Sequence, residues 1–181
     1  MTPHSVDRLE NFPVTFFATG MGLMGTTLAI HAAEKAFGLT DRLSQVAMIT
    51  SAALFALVVL GYALKALIHP SAVAHEWNHP VRIAFFPAAS ISLLLLSVAL
   101  LTDYPDLARW VWIAGAALQG VLALAVIVSW IGHRPFQHGQ LTPAWFIPAV
   151  GNVIVPIAGA LLHKSGDKRT SPFPGQSHPT A

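Results

Sequence analysis

The chain is 181 residues long, 54% hydrophobic and only 10% charged, with a formal net charge of +2 and no cysteine. Soluble domains carry about 25% charged residues, so the composition excludes a water-facing enzyme fold, and Lys and Arg scattered one or two per loop make no basic stripe for nucleic acid. Without cysteine there are no disulfides, thiolate metal sites or cysteine nucleophiles.

The apolar residues are gathered in long blocks. A helix crosses the ~30 Å hydrocarbon core with about 20 such residues, because backbone polar groups in lipid need partners inside their own segment. The expected fold class is therefore all-α integral membrane, multi-pass in a lipid bilayer, with about five transmembrane helices. Residues 1–11 read as an N-terminal tail and 12–162 as the transmembrane domain. The first block, about 12–33, has Asn11 available as N-cap and Pro13 in the first turn, where a missing N–H costs least. It exceeds the apolar part of a signal peptide and follows Asp7 and Glu10, so it reads as a true span.

The second block, about 43–68, has Asp41 for a cap and His69-Pro70 for a stop. His75-Glu76-Trp77-Asn78-His79 then satisfies H-E-x-x-H, in which two imidazoles one helical turn apart bind zinc and the glutamate activates water. That chemistry needs a continuous helix. Pro70 and Pro80 bracket the segment, so it reads as a loop, and an intramembrane zinc protease is kept as a remote alternative. The third span covers about 81–101, the fourth about 107–131 and the fifth about 144–162, with short polar connectors that suit antiparallel neighbours. Residues 163–181 turn polar and proline-rich and are expected to be a disordered tail.

All eight acidic residues fall in tails, loops or helix ends, which predicts a charge-free interior without a midplane proton relay. Small and polar residues take the place of charge, unevenly. The first span has Thr15, Thr19, Gly20, Gly22, Gly25, Thr26 and Thr27, the third Pro87, Ser90, Ser92 and Ser97, and the fifth Pro148, Gly151, Asn152, Pro156 and Gly159. Spans two and four contain no proline. A proline inside a span frees a carbonyl that only protein or a wet cavity can satisfy, so the odd spans are expected to face a cavity. Small residues at four-residue spacing equally serve close helix packing, as Ala18, Gly22 and Thr26 would. Trp77, Trp110, Trp112, Trp130 and Trp145 lie near span ends, as interfacial anchors do. No phosphate loop, nucleophile elbow or dinucleotide fingerprint is present, so no catalytic residue, metal or cofactor is assigned.

Three segments in order carry a resemblance: Phe12-Pro13-Val14-Thr15-Phe16-Phe17 with Gly20, Gly22 and Gly25; His79-Pro80-Val81-Arg82 leading to Ser90-Ile91-Ser92; and Leu141-Thr142-Pro143-Ala144-Trp145 with Pro148-Ala149-Val150-Gly151-Asn152 and Pro156-Ile157-Ala158-Gly159. In these the chain resembles the tellurite-resistance/dicarboxylate transporter family, which includes plant slow anion channels and fungal malate transporters. The resemblance implies the first half of a ten-helix, five-hairpin anion-channel fold, odd helices inside, with a cytoplasmic N-terminus, a trimer, and passive movement of small anions such as chloride, nitrate or dicarboxylates across a bacterial inner membrane. It places Phe16, Gly20, Phe85, Pro87, Ser90, Pro148, Gly151, Asn152 and Pro156 on the pore, and the basic residues Lys65, Arg82 and Arg134 near its mouths would enrich anions locally. The family's sixth to tenth helices have no counterpart here, so the chain reads as a truncated or frame-shifted member. A non-transporting membrane scaffold or pseudogene product is the alternative from a different class.

Overall fold

The computed structural model describes residues 9–133 and 142–170. The expected N-terminal tail up to residue 8, the mouth residue Arg134 and the tail beyond residue 170 lie outside the described residues. The described chain is helical throughout: α1 Phe16–Phe37, α2 Arg42–Ile68, α3 Pro70–Trp77, a 3-10 turn Arg82–Phe85 leading into α4 Pro87–Leu100, α5 Pro105–His133, a second 3-10 turn Pro143–Phe146, and α6 Ile147–Thr170. Among the described residues, five segments are long and apolar enough to cross a membrane: Phe16–Phe37, Arg42–Ile68, Arg82–Leu100, Pro105–Gly132 and Pro143–Ser165.

The segment around α4 is the centre of the bundle. Half of it is buried, against 17–22% of the other four spans. It packs against α1, α5 and α6 and touches α2. α1 and α6 therefore flank α4, α2 lies behind α1, and α5 fills the wedge between α4 and α6. Serines make this central position possible, because a buried hydroxyl in a helix can bond its own backbone. Ser92 donates to the Ala88 carbonyl at 2.8 Å, and Ser97 to the Leu94 carbonyl at 2.6 Å. Gly20 of α1 lets the Phe55 ring of α2 close in: a Cβ there would stand 2.8 Å from that ring and 3.1 Å from Ser92 Oγ. Two turns further along α1, the Thr27 and Ser51 hydroxyls meet at 3.1 Å.

Element ends depart from expectation for identifiable reasons. α1 begins at Phe16, not at residue 12, because the backbone of the preceding turn is committed elsewhere. The Phe12 carbonyl accepts from Lys65 Nζ at 2.7 Å and the Val14 N–H donates to Glu76 at 3.4 Å. α1 also runs on to Phe37, where Gly38 closes it at φ +65° in the left-handed region. Asp41 makes no cap bond. Glu34, one turn before the end of α1, does so instead, accepting from the Leu43 and Ser44 N–H groups at 2.9 and 3.2 Å. The expected loop at 70–80 is a helix up to Trp77, because Pro70 sits at a first-turn position that needs no N–H. The tail expected to be disordered from residue 163 continues α6 to Thr170.

Candidate functional site

The outward faces of the helices differ in kind. α2 turns Leu43, Val46, Ile49, Leu57, Leu60, Leu64 and Leu67 outward, as a lipid-facing helix does. α1 instead exposes Thr19, Gly22, Thr26, Ala29 and Ala33, one stripe at helical spacing. A Cβ at Gly22 would meet nothing within 4 Å, so among the described residues no helix packs there. The Thr26 hydroxyl is satisfied on its own helix, donating to the Gly22 carbonyl at 3.0 Å. α6 carries two exposed stripes side by side. Val150, Val153, Ile157 and Leu161, continued by Phe146 of the preceding turn, make a bulky apolar one, while Ala149, Asn152, Pro156, Ala160 and His163 make a small, polar one. Neither small-residue stripe offers lipid the surface that α2 offers.

Behind the small stripe of α6 lies a buried amide that sequence reasoning passed over. Gln119 of α5 has no exposed surface. Its Oε1 accepts from the Ser90 hydroxyl of α4 at 2.6 Å, and its Nε2 donates to the Pro148 carbonyl at 3.0 Å and towards Asn152 Oδ1 at 3.4 Å. One side chain thus ties three helices together. Gly151 makes the approach possible, since a Cβ there would collide with the Gln119 amide. The available signal was a lone amide in an otherwise apolar block, because an uncharged polar group in a span needs a partner on another helix.

The nine residues expected on the pore separate accordingly. Phe16, Asn152 and Pro156 are exposed, and Phe85 is half-buried against the core. Gly20, Pro87, Ser90, Pro148 and Gly151 are buried, Gly20 also lining an apolar pocket of about 200 Å³ with Phe16 and Thr19. Trp112, expected as an interfacial anchor, is half-buried over Gly159 and donates its indole N–H to the Val155 carbonyl at 3.0 Å.

The expected mouth charges are also redistributed. Lys65 is 1% exposed, and its Nζ lies 3.2 Å from Glu76 Oε2. Glu76, 3% exposed, takes a hydrogen bond from Tyr62 Oη at 2.9 Å and has Arg82 Nη1 3.8 Å from its other oxygen. The interior is therefore not wholly free of charge. A compensated ion pair lies at this end of the bundle, because Glu76 is carried inward by α3. A cleft of about 410 Å³ opens beside it, lined by Glu10, Asn11, Ser71, His75 and Arg82 among others. Only Arg82, half-exposed, still offers positive charge to solvent from among the described mouth residues.

The H-E-x-x-H pattern does not assemble as a zinc site. α3 ends at Trp77, His79 lies beyond it, and His79 Nδ1 accepts from the Val81 and Arg82 N–H groups at 3.2 and 3.3 Å. Among the described residues, His31, Glu34 and Asp41 bring three ligand-type atoms within 4.8 Å of one another. Both Glu34 oxygens there are already engaged by the N-terminus of α2.

Comparison with known proteins fits this arrangement. The family model described as a voltage-dependent anion channel (SLAC1) matches residues 11–176. An uncharacterized transporter of Methanocaldococcus jannaschii is 24% identical over 158 residues, covering 85% of this chain and 46% of that protein. The S-type anion channel SLAH2 of Arabidopsis thaliana is 27% identical over 175 residues, 91% of this chain and 32% of the relative. A tellurite resistance protein TehA homolog of Haemophilus influenzae is 27% identical over 152 residues, 81% and 45% respectively. The chain spans about half the length of these relatives, or less.

Proposed function

Because the chain belongs to the voltage-dependent anion channel family, we propose that it contributes a wall of a passive pathway for small anions, of the chloride, nitrate or dicarboxylate class. The observation that carries the reading is the contrast between exposed faces. The stripes of Thr19, Gly22 and Thr26 on α1 and of Asn152 and Pro156 on α6 face the pathway, with Phe16 at its edge, while the leucine faces of α2 and α5 face lipid. Gly20, Phe85, Pro87, Ser90, Pro148 and Gly151 hold those stripes in place from behind. A neutral wall of this kind passes anions when small polar groups replace part of the hydration shell without binding tightly. Arg82 enriches anions locally at one end. Lys65 does not, since Glu76 balances it.

The rest of the wall comes from further polypeptide, either a continuing segment or other copies of the chain. A homotrimer, a cytoplasmic N-terminus and a bacterial inner membrane complete the proposal on family grounds. The chain has no cysteine, so single-cysteine variants give a clean test. In reconstituted protein, Gly22→Cys, Thr26→Cys and Pro156→Cys react with a water-soluble thiol reagent, and chloride flux falls as they do. Leu57→Cys and Val153→Cys stay unreactive. Equal reactivity of the two groups, or chloride flux no greater than in protein-free liposomes, favours a membrane scaffold that transports nothing.

A further inference from the structure

We propose that Asn152 selects anions by presenting its amide N–H groups to the pathway, and that Gln119, out of reach of the ion, is the positioning residue that fixes this orientation. The inference deepens the anion-pathway reading and rests on it.

The orientation follows from hydrogen-bond chemistry outward from one backbone atom. The Pro148 carbonyl can only accept, so the Gln119 atom 3.0 Å away is the donor Nε2. Gln119 Oε1 then faces Ser90, whose hydroxyl at 2.6 Å gives it the proton in preference to the Pro87 carbonyl at 2.8 Å. The second Nε2 hydrogen points to the Asn152 side chain at 3.4 Å and requires an acceptor there, which is Oδ1. Turning the Asn152 amide over would set two N–H donors against each other beside a fully buried group. Nδ2 is thereby directed away from the bundle, on the exposed stripe between Ala149 and Pro156.

An amide with its N–H end outward gives an ion the positive end of a dipole without a full charge, which attracts an anion and still lets it leave. The neighbouring backbone makes this orientation decisive. Pro156 has no N–H to give the Asn152 carbonyl one turn earlier, so that carbonyl lacks its usual helical donor. Without the outward amide donors, that acceptor would dominate the local field and favour cations.

The test uses the full chain in lipid nanodiscs and liposomes. It contains three asparagines, Asn11, Asn78 and Asn152, so selective 15N-asparagine labelling gives three side-chain amide signals. Chloride is titrated against gluconate at constant ionic strength. In the wild-type chain the Asn152 amide signal shifts saturably with chloride. In Gln119→Leu that response weakens about tenfold, while the Asn11 and Asn78 signals keep their positions. In liposomes, the chloride-over-potassium permeability ratio from reversal potentials falls about tenfold in Gln119→Leu. It falls by a similar factor in Asn152→Leu, which sits on the exposed stripe and serves if Gln119→Leu does not fold. A chloride response of Asn152 with no flux from the wild-type chain would support the donor orientation and overturn the pathway reading. Flux with no Asn152 response, or variants that keep the wild-type permeability ratio, would overturn the inference.

Discussion

Two glycines of the small-residue helices answer to opposite demands. Gly151 leaves room for the Gln119 amide, whereas Gly22 has nothing within 4 Å of the place a Cβ would take. Gly151→Ala pushes the amide off the Pro148 carbonyl, and overpacking together with a buried donor left short of a partner costs about 1–3 kcal/mol. Gly22→Ala costs nothing in packing and removes a flexible residue from a helix, a gain of up to about 1 kcal/mol. Thermal unfolding in detergent separates the two: a lower midpoint for the first, an unchanged or higher one for the second. Lys65 makes a third case. It reads in sequence as a cation at a helix end, and nothing local announces that Glu76, eleven positions on, will be brought to within 3.2 Å. Replacing one member of such a pair strands the other. Lys65→Met therefore destabilises by about 3–5 kcal/mol, and Lys65→Met with Glu76→Leu by less than either single change implies, measured as a double-mutant cycle of denaturation midpoints.

At the scale of elements, the spans were legible because about 20 consecutive apolar residues have one economical conformation in lipid. Their ends were not. A cap supplied by Glu34 from the preceding helix leaves no trace at Asp41, and α3 was hidden because a proline that ends one helix also starts the next. α6 carries two kinds of exposed stripe, with Val153 on the apolar one and Ala160 on the small one. Val153→Lys therefore loses about 2.5–3.5 kcal/mol of apparent insertion free energy if it lies near mid-bilayer. On the proposed pathway reading Ala160→Lys loses much less, because a wet face would accommodate the ammonium. The fraction of chain inserted in microsomal membranes reads both.

For the whole molecule, composition showed which helices carry small and polar residues but not which way each residue turns. Odd spans one, three and five, which carry the excess of Gly, Ser, Thr and Pro, are α1, α4 and α6. Within them Gly20, Ser90 and Gly151 turn inward to neighbours while Gly22 and Asn152 turn outward, a division set by how α4 sits between its flanking helices. Gln119 escaped notice for the same reason: its partners lie 29 positions back and 29 and 33 positions ahead, and only the assembled bundle brings them together.

That separation along the chain sets an order of assembly. Glu34 finds its partners 9 and 10 residues later, so the first hairpin can close its own ends while the third span is still being synthesised. Gln119 has no such independence. When α5 has entered the bilayer and α6 has not, Ser90 is the one member of its network already made, and the amide must keep water or lipid headgroups for company. The arrival of α6 is thus what lets the fourth span settle at full depth.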